Sequence, residues 1–141
     1  MNEISGTEQA KQPTSNTNAW LGGRYRTVRL IQDVEAVRVH VGAGVGATRQ
    51  MLTSSAGSLG RWFAVGDVIL TKAAYTDSRA LPSGFTRVDW CRLKASCIVN
   101  VGRCSPLFGH MGGGEQIEWL SGPRPEQVTA DAQWADREGR A

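Results

Sequence analysis

From Trp20 onward, apolar and polar residues alternate. In "VEAVRVHV", residues 34–41, Val37, Val39 and Val41 fall on one side and Arg38 and His40 on the other, the period of two expected of a half-buried strand. "GRYRTVRLIQ" at 23–32 repeats the pattern, and "RWFAVGDVIL" at 61–70 predicts a strand bent at Gly66. "FTRVDWCRLKASCIVNVG" predicts a strand in two pieces over 85–102, and "EQIEWLSG" predicts a short strand that stops at Gly122-Pro123. Helix signals are sparse: Ala47 to Leu52 inside a glycine-rich loop at 42–60, and a helical turn in "TKAAYTDSRALPSG" broken at Pro82. Residues 1–19 hold almost nothing apolar beyond Ile4 and alanine, so they predict a disordered leader. Residues 123–141 predict a tail or frayed helix, which leaves 20–122 as the domain.

Many short strands with little helix predict an α+β fold built on a small, twisted, mainly antiparallel sheet with one or two short helices. The 141 residues suffice for one core. No apolar run reaches the roughly 18 residues of a membrane span, and the first residues lack the pattern of a cleaved signal, so a soluble chain is expected. Without the leader and tail, twelve bases face seven acids. That surplus is too small and scattered for nucleic acid and suits a pocket for a small polyanion. Cys91, Cys97 and Cys104 match no zinc spacing and leave one thiol over in any disulfide scheme, which points to a reducing compartment and no metal.

Three short motifs bear on chemistry. "GAGVGA" fits the dinucleotide fingerprint through Gly42, Gly44 and Ala47, with Asp67 at the end of the next strand, but the small residues at 53–60 cannot supply the crossover helix, so it reads as a turn. In "SPLFGHMGGGEQIEWL", Pro106 and Gly112 to Gly114 precede a strand on which Gln116 and Glu118 share one face, with Ile117 and Trp119 on the other, toward the core. That polar pair is either solvated or presented to a ligand beside bare backbone. In "SRALPSG", Arg79 precedes an extended Leu81-Pro82 step, and its planar fork of donors matches a diphosphate.

"RALPSG" followed by "VNVGRCSPLFGHMGGGEQ" resembles the tuberculosis-necrotizing-toxin family of NAD glycohydrolases, related in fold to ADP-ribosyltransferase toxins. The matching positions are Arg79, Leu81, Pro82, Val99, Gly102, Pro106, Phe108, Gly109, Gly112, Gly113, Gly114 and Gln116. "GRWF" at 60–63 resembles a further step of the family pattern, so the likeness covers about residues 60–120. Leu107 stands where the family has tryptophan and Ser83 where it has a second proline. The family's arginine ahead of this region has Arg49 as its counterpart in uncertain register.

The resemblance implies an NAD(P)+ glycohydrolase with NAD or NADP as substrate, no cofactor and no metal. Because nicotinamide leaves a pyridinium as a neutral group, positioning and electrostatic support matter more than paired acids. Gln116 would hold the ribose or orient water, and Arg79 would clasp the diphosphate. Trp62, or Phe63 in the other register, would lie against the nicotinamide. Phe108 and Gly112 to Gly114 would line the dinucleotide, the glycines giving it room and donating their amides. Delivery as a secreted toxin domain into a target-cell cytosol and neutralisation by an immunity protein are implied as well; otherwise the chain is cytoplasmic. A neighbouring reading takes "QIE" at 116–118 as the Q-x-E signature of arginine-directed ADP-ribosyltransferases, with "TSS" at 53–55, Arg26 or Arg29 holding NAD, and Glu118 on the ribose. A third is a non-enzymatic interaction module using its tryptophans, although Trp62, Trp90 and Trp119 lie in strand-like runs that predict core.

Overall fold

The alternating segments become strands that pair antiparallel throughout. A computed structural model describes residues 4–14, 17–40, 62–64, 72–79 and 87–133. Within them run β1 (Gly6–Gln9), α1 (Thr17–Leu21), β2 (Tyr25–Leu30), β3 (Val34–His40), β4 (Trp62–Ala64), α2 (Lys72–Ser78), β5 (Arg87–Leu93), β6 (Ile98–Arg103), β7 (Glu115–Ser121) and β8 (Glu126–Gln133). The eight strands form one sheet in the order β1-β2-β6-β7-β4-β3-β5-β8. The α+β class and the antiparallel sheet with two short helices are as the alternation predicts. The glycine run at 42–47, the helix at Ala47 to Leu52, Asp67 and the Leu81-Pro82 step lie outside the described residues.

One face of the sheet is apolar. Val28, Val99, Val101, Phe63, Ile117 and Trp119 pack there with Leu93 and Cys97, all buried. Alternation puts the neighbours of these residues on the opposite face, where register sets Thr27 beside Asn100, Asn100 beside Glu118, and Gly102 beside Gln116. That second face is also closed off from water: Thr27, Asn100 and Glu118 are fully buried and Gln116 is 5% exposed.

Over Thr27, Asn100 and Glu118 the cover is the segment expected to be disordered. Residues 6–9 add β1 to the sheet edge opposite β2, and Ile4 is buried in the apolar core, worth roughly 2 kcal/mol. Beyond β1 the chain crosses the polar face. The Gln12 amide donates to Thr27 Oγ1 at 3.2 Å and its carbonyl accepts from Asn100 Nδ2 at 3.1 Å, while Lys11 Nζ reaches Gly23 O at 3.0 Å. Thr17 Oγ1 accepts the Thr14 amide at 2.7 Å as α1 begins, and α1 ends at Gly22, whose φ of +65° suits a left-handed cap. The described part of the leader is therefore a structural strap, held by hydrogen bonds together with the apolar anchor at Ile4. The expected tail is corrected too: 126–133 form β8 along β5 at the other sheet edge.

All three thiols are buried. Loss of hydration pushes the Cys97 thiol up to about 11, with Asp33 adding to the shift, and pushes Cys104 up to about 11 against a partial offset from Arg79. Raised folded values mean that these thiols leave stability intact below the ordinary value of 9.0 and erode it as pH climbs through 9 to 11. Urea midpoints should thus hold level from pH 7 to 8.5 and fall above pH 9. A thiol reagent at pH 8 should label the native chain slowly and all three cysteines once it is unfolded.

Candidate functional site

The triple-glycine loop is docked on the C-terminal end of α2. A helix leaves its last carbonyls without intrahelical partners. Here Gly112 N donates to Asp77 O at 2.9 Å and Gly114 N to Ser78 O at 2.8 Å. Gly113 N and Cys104 N close the loop on itself, donating to Cys104 O and Gly114 O, each at 2.8 Å. The Asp77 carboxylate accepts the Met111 amide at 3.1 Å and lies 3.3 Å from His110 Nδ1. The three glycine amides are thus engaged within the protein, and the resemblance had them donating to the dinucleotide.

The need for glycine is equally internal. A Cβ on Gly112, at φ +71°, would stand 2.5 Å from Cys104 O, and one on Gly114 would stand 2.8 Å from Arg79 Cδ and Nε. Gly113 has φ +91° and open space around its Cα. The residue that bare backbone admits at Gly114 is Arg79.

Arg79 caps α2, its amide donating to Tyr75 O at 3.0 Å, and it is 3% exposed. Its Nη1 donates to Ser78 Oγ at 3.1 Å and its Nη2 to Glu115 O at 3.3 Å, while its Cζ lies 5.1 Å from the centre of the Tyr75 ring. Burial holds the Tyr75 phenol far above its usual range, and the Arg79 charge offsets this in part. Cys104 Sγ donates to Arg79 O at 3.0 Å. Two motifs distant in the chain therefore meet at the start of β7, where the guanidinium is anchored to the peptide just before Gln116.

Gln116 sits between small partners, Gly102 of β6 and Ala64 of β4. Its Oε1 is buried and has no hydrogen-bond partner among the described residues. An unpaired buried acceptor costs roughly 1–3 kcal/mol, a cost that a binding site offsets when a ligand donates to it.

Glu118 is the opposite case. Its carboxylate accepts from Thr17 Oγ1 at 2.6 Å, Asn100 Nδ2 at 3.0 Å and the Thr14 hydroxyl, and it is 0% exposed. Asn100 Oδ1 in turn accepts from Thr27 Oγ1 at 2.5 Å. The strand pattern implied that Gln116 and Glu118 share a face; it did not reveal Asn100, Thr14, Thr17 and Thr27 as their surroundings. The one available signal was an asparagine amid valines in "IVNVG".

The remaining expected residues are dispersed. Phe63 is 1% exposed and packs in the apolar core opposite Ile117, on the face away from Gln116. Trp62 pairs in register with Glu118, and its side chain lies outside the description. Arg49, Ser83 and the "TSS" step lie outside the described residues. Phe108 is 57% exposed at φ +53°, with its ring centre 5.8 Å from that of Trp20. Trp119 is core, and its Nε1 donates to Pro123 O at 3.2 Å. Among the described residues no cluster of His, Cys, Asp or Glu could hold a metal, and no helix is long and apolar enough to cross a membrane.

No protein-family model matches the sequence, and no curated protein matches it. Among solved structures, that of Tne2 in complex with Tni2 is similar, with a TM-score of 0.61 at 19% identity over 82% of this chain and 97% of that one. At such identity the likeness bears on the fold: this chain shares the architecture of that protein across nearly its whole length.

Proposed function

We propose that this protein is an NAD(P)+ glycohydrolase that releases nicotinamide and ADP-ribose, or its phosphorylated form, without a protein acceptor. The observation that carries the reading is the meeting of Arg79 with Gly114 and Glu115, directly before a buried Gln116 whose Oε1 is unpartnered. That contact between separate parts of the sequence resemblance supports reading them as one site.

In this reading the guanidinium of Arg79, already fixed by Ser78 and Glu115, supports the diphosphate by its charge from a buried position, without further ordering. Gln116 Oε1 accepts from a ribose hydroxyl or from the attacking water. The bond that breaks joins the ribose carbon to the pyridinium nitrogen; the nitrogen keeps the electron pair, water supplies the oxygen, and one proton goes to solvent. An uncharged amide suffices because the leaving group needs no proton.

The transferase alternative asks Glu118 to reach a ribose. With three donors on its carboxylate and the strap above it, Glu118 is better suited to hold the fold than to touch a substrate. The similar solved structure is of a complex with Tni2, which favours a protein partner for this chain as well; we assign that role to an immunity protein, and to the chain the role of a toxin domain acting in a target-cell cytosol.

The test is a time course of purified protein with NAD. Nicotinamide and ADP-ribose should accumulate in equal amounts without added acceptor, and expression in an unprotected host should deplete NAD and arrest growth. Intact NAD after prolonged incubation, with normal host growth, would overturn the reading.

A further inference from the structure

Beside the candidate site lies a hollow of ≈630 Å³, walled by the Gly22-Gly23 turn after α1, the end of β6 and the Cys104 to Pro106 stretch. Its volume is in the range of small-molecule sites. Three arginines, Arg24, Arg26 and Arg103, are among its lining residues, against a single acidic residue, Glu115. Lys11 adds a fourth cation at its margin, where Nζ donates to Gly23 O at 3.0 Å.

Little inside the protein uses this charge. Arg24 makes no ion pair or side-chain hydrogen bond among the described residues. Arg26 is 3.8 Å from Glu8 with both side chains substantially exposed, a pairing worth at most a fraction of a kcal/mol. Arg103 is exposed, and its side chain makes one hydrogen bond among the described residues, from Nη1 to Gly113 O at 3.0 Å. Like charges gathered around a concave surface repel one another, and the field they focus attracts an anion. Arginine forks suit phosphate oxygens in particular.

We infer that this hollow is a binding site for a phosphate monoester, distinct from the Arg79 position. The two adjoin, since Glu115 lines the hollow and its carbonyl accepts from Arg79, while Cys104 lines the hollow and donates its Sγ–H to Arg79 O. A single arginine at Arg79 can answer a diphosphate; the three arginines of the adjoining hollow answer a further dianion. On the glycohydrolase reading, on which this step rests, the ligand at hand is the 2′-phosphate of NADP, and the hollow makes NADP the favoured substrate. A free phosphorylated effector would present the same chemistry.

The experiment titrates the full chain calorimetrically, at low salt, with adenosine 2′-monophosphate, inorganic phosphate and, as neutral control, adenosine. It is repeated on Arg24→Gln and on the double variant Arg24→Gln/Arg103→Gln, exposed changes that leave the core alone. Both phosphates should bind the wild type, adenosine should not, and the double variant should bind at least tenfold more weakly. In turnover assays the double variant should raise KM for NADP at least tenfold while leaving NAD kinetics within twofold. Phosphate binding with equal use of NAD and NADP supports the site and assigns it to a free phosphate. Absence of phosphate binding by the wild type, or equal binding by wild type and double variant, overturns the inference. Should neither dinucleotide be consumed, the glycohydrolase reading fails while the titrations still decide the hollow.

Discussion

Replacing Gln116 with alanine is expected to lower NAD turnover by roughly a hundredfold or more while leaving the protein folded, the scale seen when one preorganised polar group is removed from a charge-developing transition state. Its surroundings make this a sharp test. Glycine and alanine flank Gln116 in the adjoining strands, so truncation removes few contacts. Its Oε1 is buried without a described partner, and losing an unsatisfied acceptor relieves a cost rather than creating one. Gln116→Met, which fills a similar volume without the amide, should match or exceed the wild-type melting temperature while being as inactive as the alanine variant. Loss of activity with retained or improved stability is the mark of a group kept for function. A purely structural glutamine would give the reverse, activity preserved per folded molecule and a lower melting temperature. Full turnover by Gln116→Ala would end the assignment.

The strands that alternation revealed are those in the sheet interior: β2, β3, β4, β5, β6 and β7. The elements it concealed are β1 and β8, the two edges. An edge strand pairs on one side only, so a run such as "GTEQ" can join a sheet through backbone hydrogen bonds without apolar side chains. The strap residues 11–14 and Thr17 are concealed for a related reason: their energy lies in threonine hydroxyls and the Gln12 backbone meeting Thr27, Asn100 and Glu118. A local pattern cannot show which distant polar face a polar segment will cover. For the site, the "G-G-G-x-Q" spacing identified a loop and a strand start, and Arg79 stood out through the extended step after it. Their contact was not legible, because it depends on α2 presenting the Asp77 and Ser78 carbonyls to the glycine amides. The same contact explains why the glycines serve the helix end and Arg79, a role that spacing alone could not separate from ligand binding.

Glu118→Ala is the second large effect, and here the expected loss is in stability. The carboxylate is the common acceptor for Thr14, Thr17 and Asn100, which come from the strap, the start of α1 and β6. Removing it strands these donors in a space that is 0% exposed at Glu118, and unmet buried polar groups in a shared network cost more than one pair suggests. A loss of about 3 kcal/mol or more is expected, and for a chain of this size that lowers the melting temperature by roughly 10 °C. Glu118→Gln should cost less, because a threonine hydroxyl can turn from donor to acceptor and take a hydrogen bond from the new amide nitrogen. The strap should loosen first: in Glu118→Ala, backbone amides of residues 6–14 should exchange hydrogen faster than those of β6 and β7. Measured well below its melting point, the alanine variant should still hydrolyse NAD within a few-fold of wild type, since Gln116 and Arg79 keep their own anchors. If Glu118 instead served the ribose of an ADP-ribosyl donor, its removal would abolish modification of an arginine-bearing acceptor and leave the melting temperature nearly unchanged. The two measurements move in opposite directions under the two readings, so a single variant, melted and assayed, distinguishes a carboxylate that holds the amino-terminal strap from one that handles substrate.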